Sequence, residues 1–142
     1  MNVGEIYRDR EFYTDPQTGQ LLPKFLIILA LPTGGDVVTR LLTSRNAIIR
    51  PEQPPCFHGD PYPGFYLGIP GGELPLKTWV DLRKMPDLDI DEFSGRLRKG
   101  VISLVSSLDP QQLRSAMQCA ANANDTTRQQ ERSIRDALTR LP

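Results

Sequence analysis

Two hydroxyl side chains and an arginine follow one another where an apolar segment ends, as Thr43, Ser44 and Arg45. Arginine offers phosphate a planar fork of hydrogen-bond donors, and hydroxyl groups can donate to the same oxygens. Lys24 precedes a long apolar run and is expected to emerge at the edge of the strand that this run forms. The four side chains are therefore candidates for binding a phosphate group. Each of them taken alone is also typical of a solvated turn.

His58 is the only histidine of the chain and lies in a proline-rich segment. Imidazole is the side chain whose ordinary pKa suits acid–base catalysis near neutral pH. His58 is thus a second candidate for catalysis, with Asp60 as the nearest carboxylate in sequence. A loop histidine without a chemical role is the alternative. A single histidine excludes any mechanism or metal site that needs two.

The two cysteines, Cys56 and Cys119, lie far apart in the sequence and form no CxxC motif. This spacing gives little support to a metal or redox site, so no metal and no cofactor are expected. It fits a reducing cytoplasm. Whether the two thiols meet in the folded chain cannot be decided from their spacing.

The first two thirds of the chain contain short apolar segments punctuated by proline and glycine. Strands are predicted over residues 4–8, 25–31, 37–44, 65–69 and 76–82, with a further short strand at 47–50. The run from Phe25 is continuously apolar, as expected of a strand buried on both faces. Residues 51–64 hold five prolines and are predicted to form a long irregular loop. These five or six strands with short connections indicate a small barrel or sandwich.

The last third of the chain has helical periodicity. Asp109 and Pro110 provide an N-cap and a first helical residue, and apolar residues then recur every three or four positions. Asp125 or Thr126 is predicted to cap a second helix, whose apolar face would pack on the barrel or on a second subunit. The acidic cluster Asp87 to Glu92 lacks the glycine and closing glutamate of a calcium loop, so a solvated turn is predicted there. The fold class is mainly β with C-terminal helices, that is, α+β.

Composition limits the function further. The 142 residues suffice for a single domain, and the 17 basic and 17 acidic residues cancel. Zero net charge argues against a protein that holds nucleic acid through bulk charge. The longest apolar run, Phe25–Pro32, is far shorter than the ~20 residues that span a bilayer, and the N-terminus does not look like a signal peptide. No membrane contact and a cytoplasmic location are expected.

The order of these segments resembles the PemK/MazF family of toxin endoribonucleases, which have an SH3-like barrel with helices. Gly4–Tyr7 is similar to the strand that opens the family's fold, and Lys24–Leu29 to its second strand. Leu42–Ser44 is similar to the "TS" motif that ends its next strand, and 78–82 and 99–103 are similar to its later half. The resemblance implies a barrel over about residues 3–104 with helices over about 109–141.

In that family an arginine and a hydroxyl residue flank the scissile phosphate of single-stranded RNA. Cleavage needs no metal and uses the ribose 2′-hydroxyl. By position, Lys24 would take the place of the arginine, Thr43 or Ser44 would supply the hydroxyl, and His58 is added as a candidate acid or base. Arg45 and Arg40 are expected to bind RNA.

The resemblance also implies an antitoxin-like protein partner and a homodimer. A non-catalytic SH3-like module that binds a protein partner is the alternative, because a lysine replaces the arginine and the net charge is zero. In that case the proline-rich loop and the last helix would make the protein contacts.

Overall fold

The computed structural model describes residues 1–142, which form seven strands and three helices. The strands are β1 (Glu5–Thr14), β2 (Leu21–Ala30), β3 (Val38–Thr43), β4 (Cys56–Phe57), β5 (Gly64–Gly68), β6 (Thr78–Asp81) and β7 (Ile102–Ser107). The helices are α1 (Ile90–Arg98), α2 (Pro110–Ala121) and α3 (Arg128–Thr139). The α+β class with C-terminal helices is confirmed. None of the helices has the length and the apolar character needed to cross a membrane.

All seven strands belong to one antiparallel sheet, in the order β4-β5-β6-β3-β2-β1-β7. The predicted barrel of five or six strands is not confirmed, because the sheet has seven strands and its edge strands β4 and β7 do not pair with each other. The prediction of a strand over 47–50 is wrong, because these residues form a turn. β4 lies inside the proline-rich segment that was predicted to be irregular throughout.

The apolar run of β2 explains why the sheet is covered on both sides. Ile27 and Leu29 point into a core shared with α2 and α3, whereas Leu26 and Ile28 point into a smaller core that includes Phe93 of α1. These four side chains of β2 are completely buried. Alternate residues of a strand face opposite sides of the sheet, so an uninterrupted apolar run is what a strand covered on both faces requires.

The acidic cluster begins a helix, so the prediction of a solvated turn was wrong there. Asp89 is the N-cap of α1, and its carboxylate accepts a hydrogen bond from the Glu92 backbone N–H at 2.8 Å. Asp91 and Glu92 lie in the first turn. Carboxylates at this end stabilise a helix because they face its unpaired N–H groups and the positive end of its dipole.

The cap predicted for α2 is confirmed, since the Asp109 carboxylate accepts from the Gln112 N–H at 3.0 Å. α3 begins slightly later than predicted. Thr127 caps it, and Thr127 and Gln130 bond reciprocally in a capping box. The apolar face of α3 packs within this chain, because Ile134 is completely buried in the core beneath the sheet.

Candidate functional site

The β2–β3 hairpin brings Lys24 and Thr43 to the same end of the sheet. Phe25 of β2 pairs with Leu42 of β3, so the preceding and following residues, Lys24 and Thr43, are neighbours across the two strands. Arg45 follows directly, and its backbone N–H donates to the Thr43 hydroxyl oxygen at 3.1 Å. Residues 19 positions apart in sequence therefore meet at one place.

These three predicted residues line one open cavity of about 200 Å³. We call this the basic cavity. Its wall also contains residues that the sequence analysis did not identify. Among them are two more arginines, a tyrosine and a carboxylate: Arg50, Arg83, Tyr62 and Asp81. Four cationic side chains thus surround one carboxylate. A phosphodiester is the kind of ligand that such an excess of positive charge favours.

Asp81 is the only carboxylate that lines the basic cavity, and it is largely buried. Arg83 donates to it through Nε (3.0 Å to Oδ1 and 3.1 Å to Oδ2), Nη2 (2.7 Å) and the backbone N–H (3.0 Å). Burial by itself would raise the pKa of Asp81, but the hydrogen bonds from Arg83 and the charge of Arg50 outweigh it and hold the pKa below its ordinary value. Asp81 is thus an anion at neutral pH.

Arg50 is a buried arginine, and one of its buried nitrogens has no hydrogen-bond partner. Its Nε donates to the Arg45 carbonyl at 2.9 Å, whereas Nη1 has no hydrogen-bond partner. Its guanidinium lies 4.9 Å from the centre of the Tyr62 ring. Burial lowers the pKa of Arg50, because the charged form is costly to desolvate. An unsatisfied buried donor of this type costs free energy in the folded chain.

Lys24 is half-buried beside the other cations. Its pKa is lowered, first by burial and then by the charge of Arg45, while Asp81 acts in the opposite direction. Its Nζ lies 5.5 Å from the centre of the Tyr13 ring. The lowered pKa makes Lys24 a better proton donor than an ordinary exposed lysine.

Two further depressions adjoin the basic cavity. One, of about 520 Å³, shares Leu41, Asp81 and Arg83 with it and extends to Phe12 and Asp125. The other, of about 220 Å³, is mostly apolar and contains the exposed Ser44 beside Thr43. Ser44 therefore lies next to the basic cavity and does not line it.

Arg40 does not reach this surface. It is completely buried, although it was expected to bind RNA. Its Nη1 donates to the Thr39 carbonyl at 2.7 Å and its Nη2 to Gln130 Oε1 at 3.0 Å. Burial lowers its pKa, an effect that the charge of Asp87 partly offsets. Arg40 joins the sheet to the start of α3, which is a structural role.

His58 lies elsewhere, beside a disulfide bond between Cys56 and Cys119. Its Nε2 is 2.9 Å from the Cys119 carbonyl oxygen and 3.4 and 3.5 Å from the sulfurs of Cys56 and Cys119. It does not line the basic cavity. Sequence spacing missed this cluster because a separation of 63 residues carries no signal of contact. The bond is also unusual for the reducing compartment expected from the sequence.

Neither a family model, nor a curated protein, nor a solved structure matches this chain.

Proposed function

We propose that this chain is a toxin-like endoribonuclease that cleaves single-stranded RNA in the basic cavity without a metal ion. One observation carries the proposal: Lys24, Thr43 and Arg45 line one cavity together with Arg50, Asp81 and Arg83. The seven-stranded sheet is then a divergent, opened form of the SH3-like barrel. A cytoplasmic location, an antitoxin-like protein partner and a homodimer belong to the same proposal.

The reaction needs charge stabilisation at a phosphate. When the ribose 2′-hydroxyl attacks the adjacent phosphorus, negative charge develops on the non-bridging oxygens. Arg45 and Arg50 line the cavity, and their guanidinium groups are the proposed donors for those oxygens. The Thr43 oxygen accepts the Arg45 N–H, which leaves the hydroxyl hydrogen free to donate. Donors fixed in place before the reaction stabilise such a transition state strongly.

Two proton transfers complete the step. Asp81 accepts the proton of the 2′-hydroxyl, and Lys24 gives a proton to the departing 5′-oxygen. The O2′–P bond forms while the P–O5′ bond breaks, so the products are a 2′,3′-cyclic phosphate and a 5′-hydroxyl. Asp81 is the only acceptor carboxylate in the cavity wall, and Lys24 has the lowered pKa that suits an acid.

The depression beyond Arg83 suits the nucleotides that flank the scissile phosphate. It is continuous with the basic cavity through Asp81 and Arg83, and the half-buried ring of Phe12 is available there for a base to stack on. Single-stranded RNA fits this groove better than duplex, because its bases are free to leave the backbone and enter it.

The test is incubation of the oxidised, purified protein with a long single-stranded RNA in EDTA. We expect discrete fragments that carry 5′-hydroxyl and 2′,3′-cyclic phosphate ends. The Thr43→Ala/Ser44→Ala double variant should lose them, and so should Lys24→Ala. Thr33→Ala and Lys99→Ala are matched controls, because both residues are exposed and neither lines the basic cavity. Cleavage that persists unchanged in the variants of the cavity would refute the proposed site.

The non-catalytic module has one observation in its favour. Ile48 is fully exposed and Ile49 is 63% exposed, on the turn between Arg45 and Arg50. Two adjacent apolar side chains in water, beside a cavity, are typical of a protein-binding surface. Intact RNA at every protein concentration, together with a stable complex that Ile48→Ser/Ile49→Ser abolishes, would favour this function.

A further inference from the structure

Three groups with metal-binding chemistry meet at the junction of β4, the segment that follows it and α2. Cys56 belongs to β4, His58 follows two residues later, and Cys119 lies in the last turns of α2. Their ligand atoms all lie within 4.8 Å of one another. Cys119 is buried, and the other two are half-buried. The cluster is thus partly shielded from solvent.

We propose that, when the Cys56–Cys119 bond is reduced, this Cys–His–Cys cluster binds a thiophilic divalent ion such as Zn²⁺. Two thiolates and one imidazole are a ligand set that zinc accepts, and they leave one tetrahedral position for water or another ligand. The site is separate from the basic cavity and does not depend on the proposed ribonuclease activity.

The position of the imidazole carries the proposal. In a tetrahedral zinc site with bond lengths of about 2.3 Å to sulfur and about 2.05 Å to nitrogen, each sulfur lies about 3.6 Å from the nitrogen. His58 Nε2 is 3.4 Å from one sulfur and 3.5 Å from the other. The nitrogen therefore already stands at the required distance from both sulfurs. Metal binding then requires the freed sulfurs to turn apart to about 3.8 Å.

The two states use the imidazole differently. In the disulfide state Nε2 lies 2.9 Å from the Cys119 carbonyl oxygen. A carbonyl can only accept, so Nε2 carries the hydrogen in that bond. Metal binding places the hydrogen on Nδ1 and leaves the Nε2 lone pair for the ion. The same histidine thus exchanges a hydrogen bond for a metal bond when the redox state changes.

The chemical balance is simple. A thiol or phosphine reductant supplies two electrons, and with two protons the disulfide becomes two thiols while the reductant is oxidised. Binding of one divalent ion then displaces the two thiol protons into solvent. Both states tie residues 56–58 to α2, by a covalent bond in one and through the ion in the other.

The first experiment follows Zn²⁺ uptake by the full chain, purified without a histidine tag. Protein reduced with a phosphine and protein left oxidised are each titrated with Zn²⁺ against a chromophoric chelator, with oxygen excluded. We expect one ion per reduced chain and none per oxidised chain. Equal uptake by both forms, or none by the reduced form, would overturn the proposal.

Variants identify the ligands. His58→Ala should weaken zinc binding by the reduced chain by at least about tenfold. Loss of a residue that only hydrogen-bonds a zinc ligand already weakens binding by that much. Asp60→Asn, an exposed neighbour, is the control and should leave the affinity unchanged. Affinity unaltered by His58→Ala would show that the thiols alone hold the ion.

A measurement on the unmodified chain covers the case in which a variant fails to fold. His58 is the only histidine, so its ring protons are the only imidazole signals in the NMR spectrum. They should move, or be replaced by signals of the bound form, until one equivalent of Zn²⁺ has been added, and only in the reduced protein. A spectrum in which these signals stay in place while zinc binds would contradict the assignment of His58 as a ligand.

Discussion

Arg83 donates hydrogen bonds to both oxygens of the Asp81 carboxylate. Its backbone N–H donates to Oδ1 at 3.0 Å, and its guanidinium Nη2 donates to Oδ2 at 2.7 Å. The two residues are only two positions apart, at the end of β6. Arg83 is mostly exposed whereas Asp81 is buried. The arginine thus keeps a buried carboxylate ionised while its own side chain stays half exposed.

The first prediction concerns the acid limb of the pH profile. In the proposed reaction Asp81 accepts a proton, which requires that it is ionised, and Arg83 lowers its pKa. Arg83→Gln removes the charge and the bonds from Nε and Nη2, so the pKa of Asp81 should rise. The pH below which kcat/KM falls should then move upward. The surface variant Arg135→Gln should leave that limb in place, because Arg135 pairs only on α3 and with Asn122. An acid limb that does not move with Arg83→Gln would exclude Asp81 as the base.

Folding stability should show the same linkage. The pKa of Asp81 is lower in the folded chain than in the unfolded chain, so its ionisation stabilises the fold above the unfolded pKa. That contribution is lost as the pH falls through the folded pKa. Urea denaturation across the acidic range should therefore show a steeper loss of stability in the parent chain than in Asp81→Asn. Parallel curves for the two proteins would contradict the lowered pKa.

The second prediction concerns Lys24. Its pKa is lowered mainly by burial, so an alkaline limb in kcat/KM should appear below the pH at which an ordinary lysine loses its proton. Lys24→Arg keeps the charge but does not deprotonate in this range, and it should remove the limb. Lys24→Ala should lower kcat by about 10²–10⁴-fold, as expected for the loss of a general acid. An alkaline limb retained in Lys24→Arg would mean that another group is the acid.

Local patterns predicted much of the fold. The continuous apolar run of β2 and the Asp109 cap of α2 are visible in sequence because burial on both faces and helix capping each leave a short-range signature. α1 was missed because its apolar face consists of few residues, with Phe93 its one buried side chain. The order in which the strands pair was not predictable, since pairing between distant strands leaves no such local trace.

The site was predictable only in part. Thr43 and Arg45 are two positions apart in sequence, and the hairpin brings Lys24 to them. The predicted strand ends therefore sufficed to place these three residues together. Arg50 and Asp81 come from a turn and from β6, and only the fold brings them there. The prediction that Arg40 binds RNA at the surface was wrong. This arginine lies within an apolar strand, is completely buried and donates to Gln130 of α3.

The third prediction tests the structural role of Arg40 through its partner. Gln130 is buried and accepts from Arg40 while donating to the Met85 carbonyl at 3.0 Å and to Asp87 at 2.8 Å. Gln130→Ala should lower the free energy of unfolding by about 1.5–3 kcal/mol, because a buried charge loses its hydrogen bond. The exposed neighbour Gln129→Ala is the control and should change it little. RNA affinity per folded molecule should be equal in both variants, and a selective loss in Gln130→Ala would mean that Arg40 does influence RNA binding.

The fourth prediction concerns the space that Gly64 leaves for Arg50. A Cβ on Gly64 would lie 3.2 Å from the Val80 carbonyl oxygen and 3.4 Å from Arg50 Nη1. The carbonyl belongs to the neighbouring strand and cannot move freely. Gly64→Ala should therefore destabilise the chain by about 1–3 kcal/mol in urea denaturation. It should also weaken RNA binding by displacing the guanidinium. Gly95→Ala is the control and should not lower the stability. Its added Cβ would meet only the end of the flexible Arg98 side chain. Unchanged stability in Gly64→Ala would mean that the backbone of β5 shifts to accept the methyl group.

The fifth prediction concerns the Cys56–Cys119 bond, which closes a loop with a sequence separation of 63. A cross-link of this length restricts the unfolded chain, and its loss should cost about 4 kcal/mol in the chain-entropy description. Cys56→Ser should therefore unfold at a lower denaturant concentration than the oxidised parent chain. It should match the parent chain when both are measured in a reductant and a chelator, since neither then has the bond or a bound ion. A lower stability of Cys56→Ser that persists under these reducing conditions would assign the effect to packing of the side chain instead of to the cross-link. The comparison of the two conditions separates the two causes within one pair of proteins.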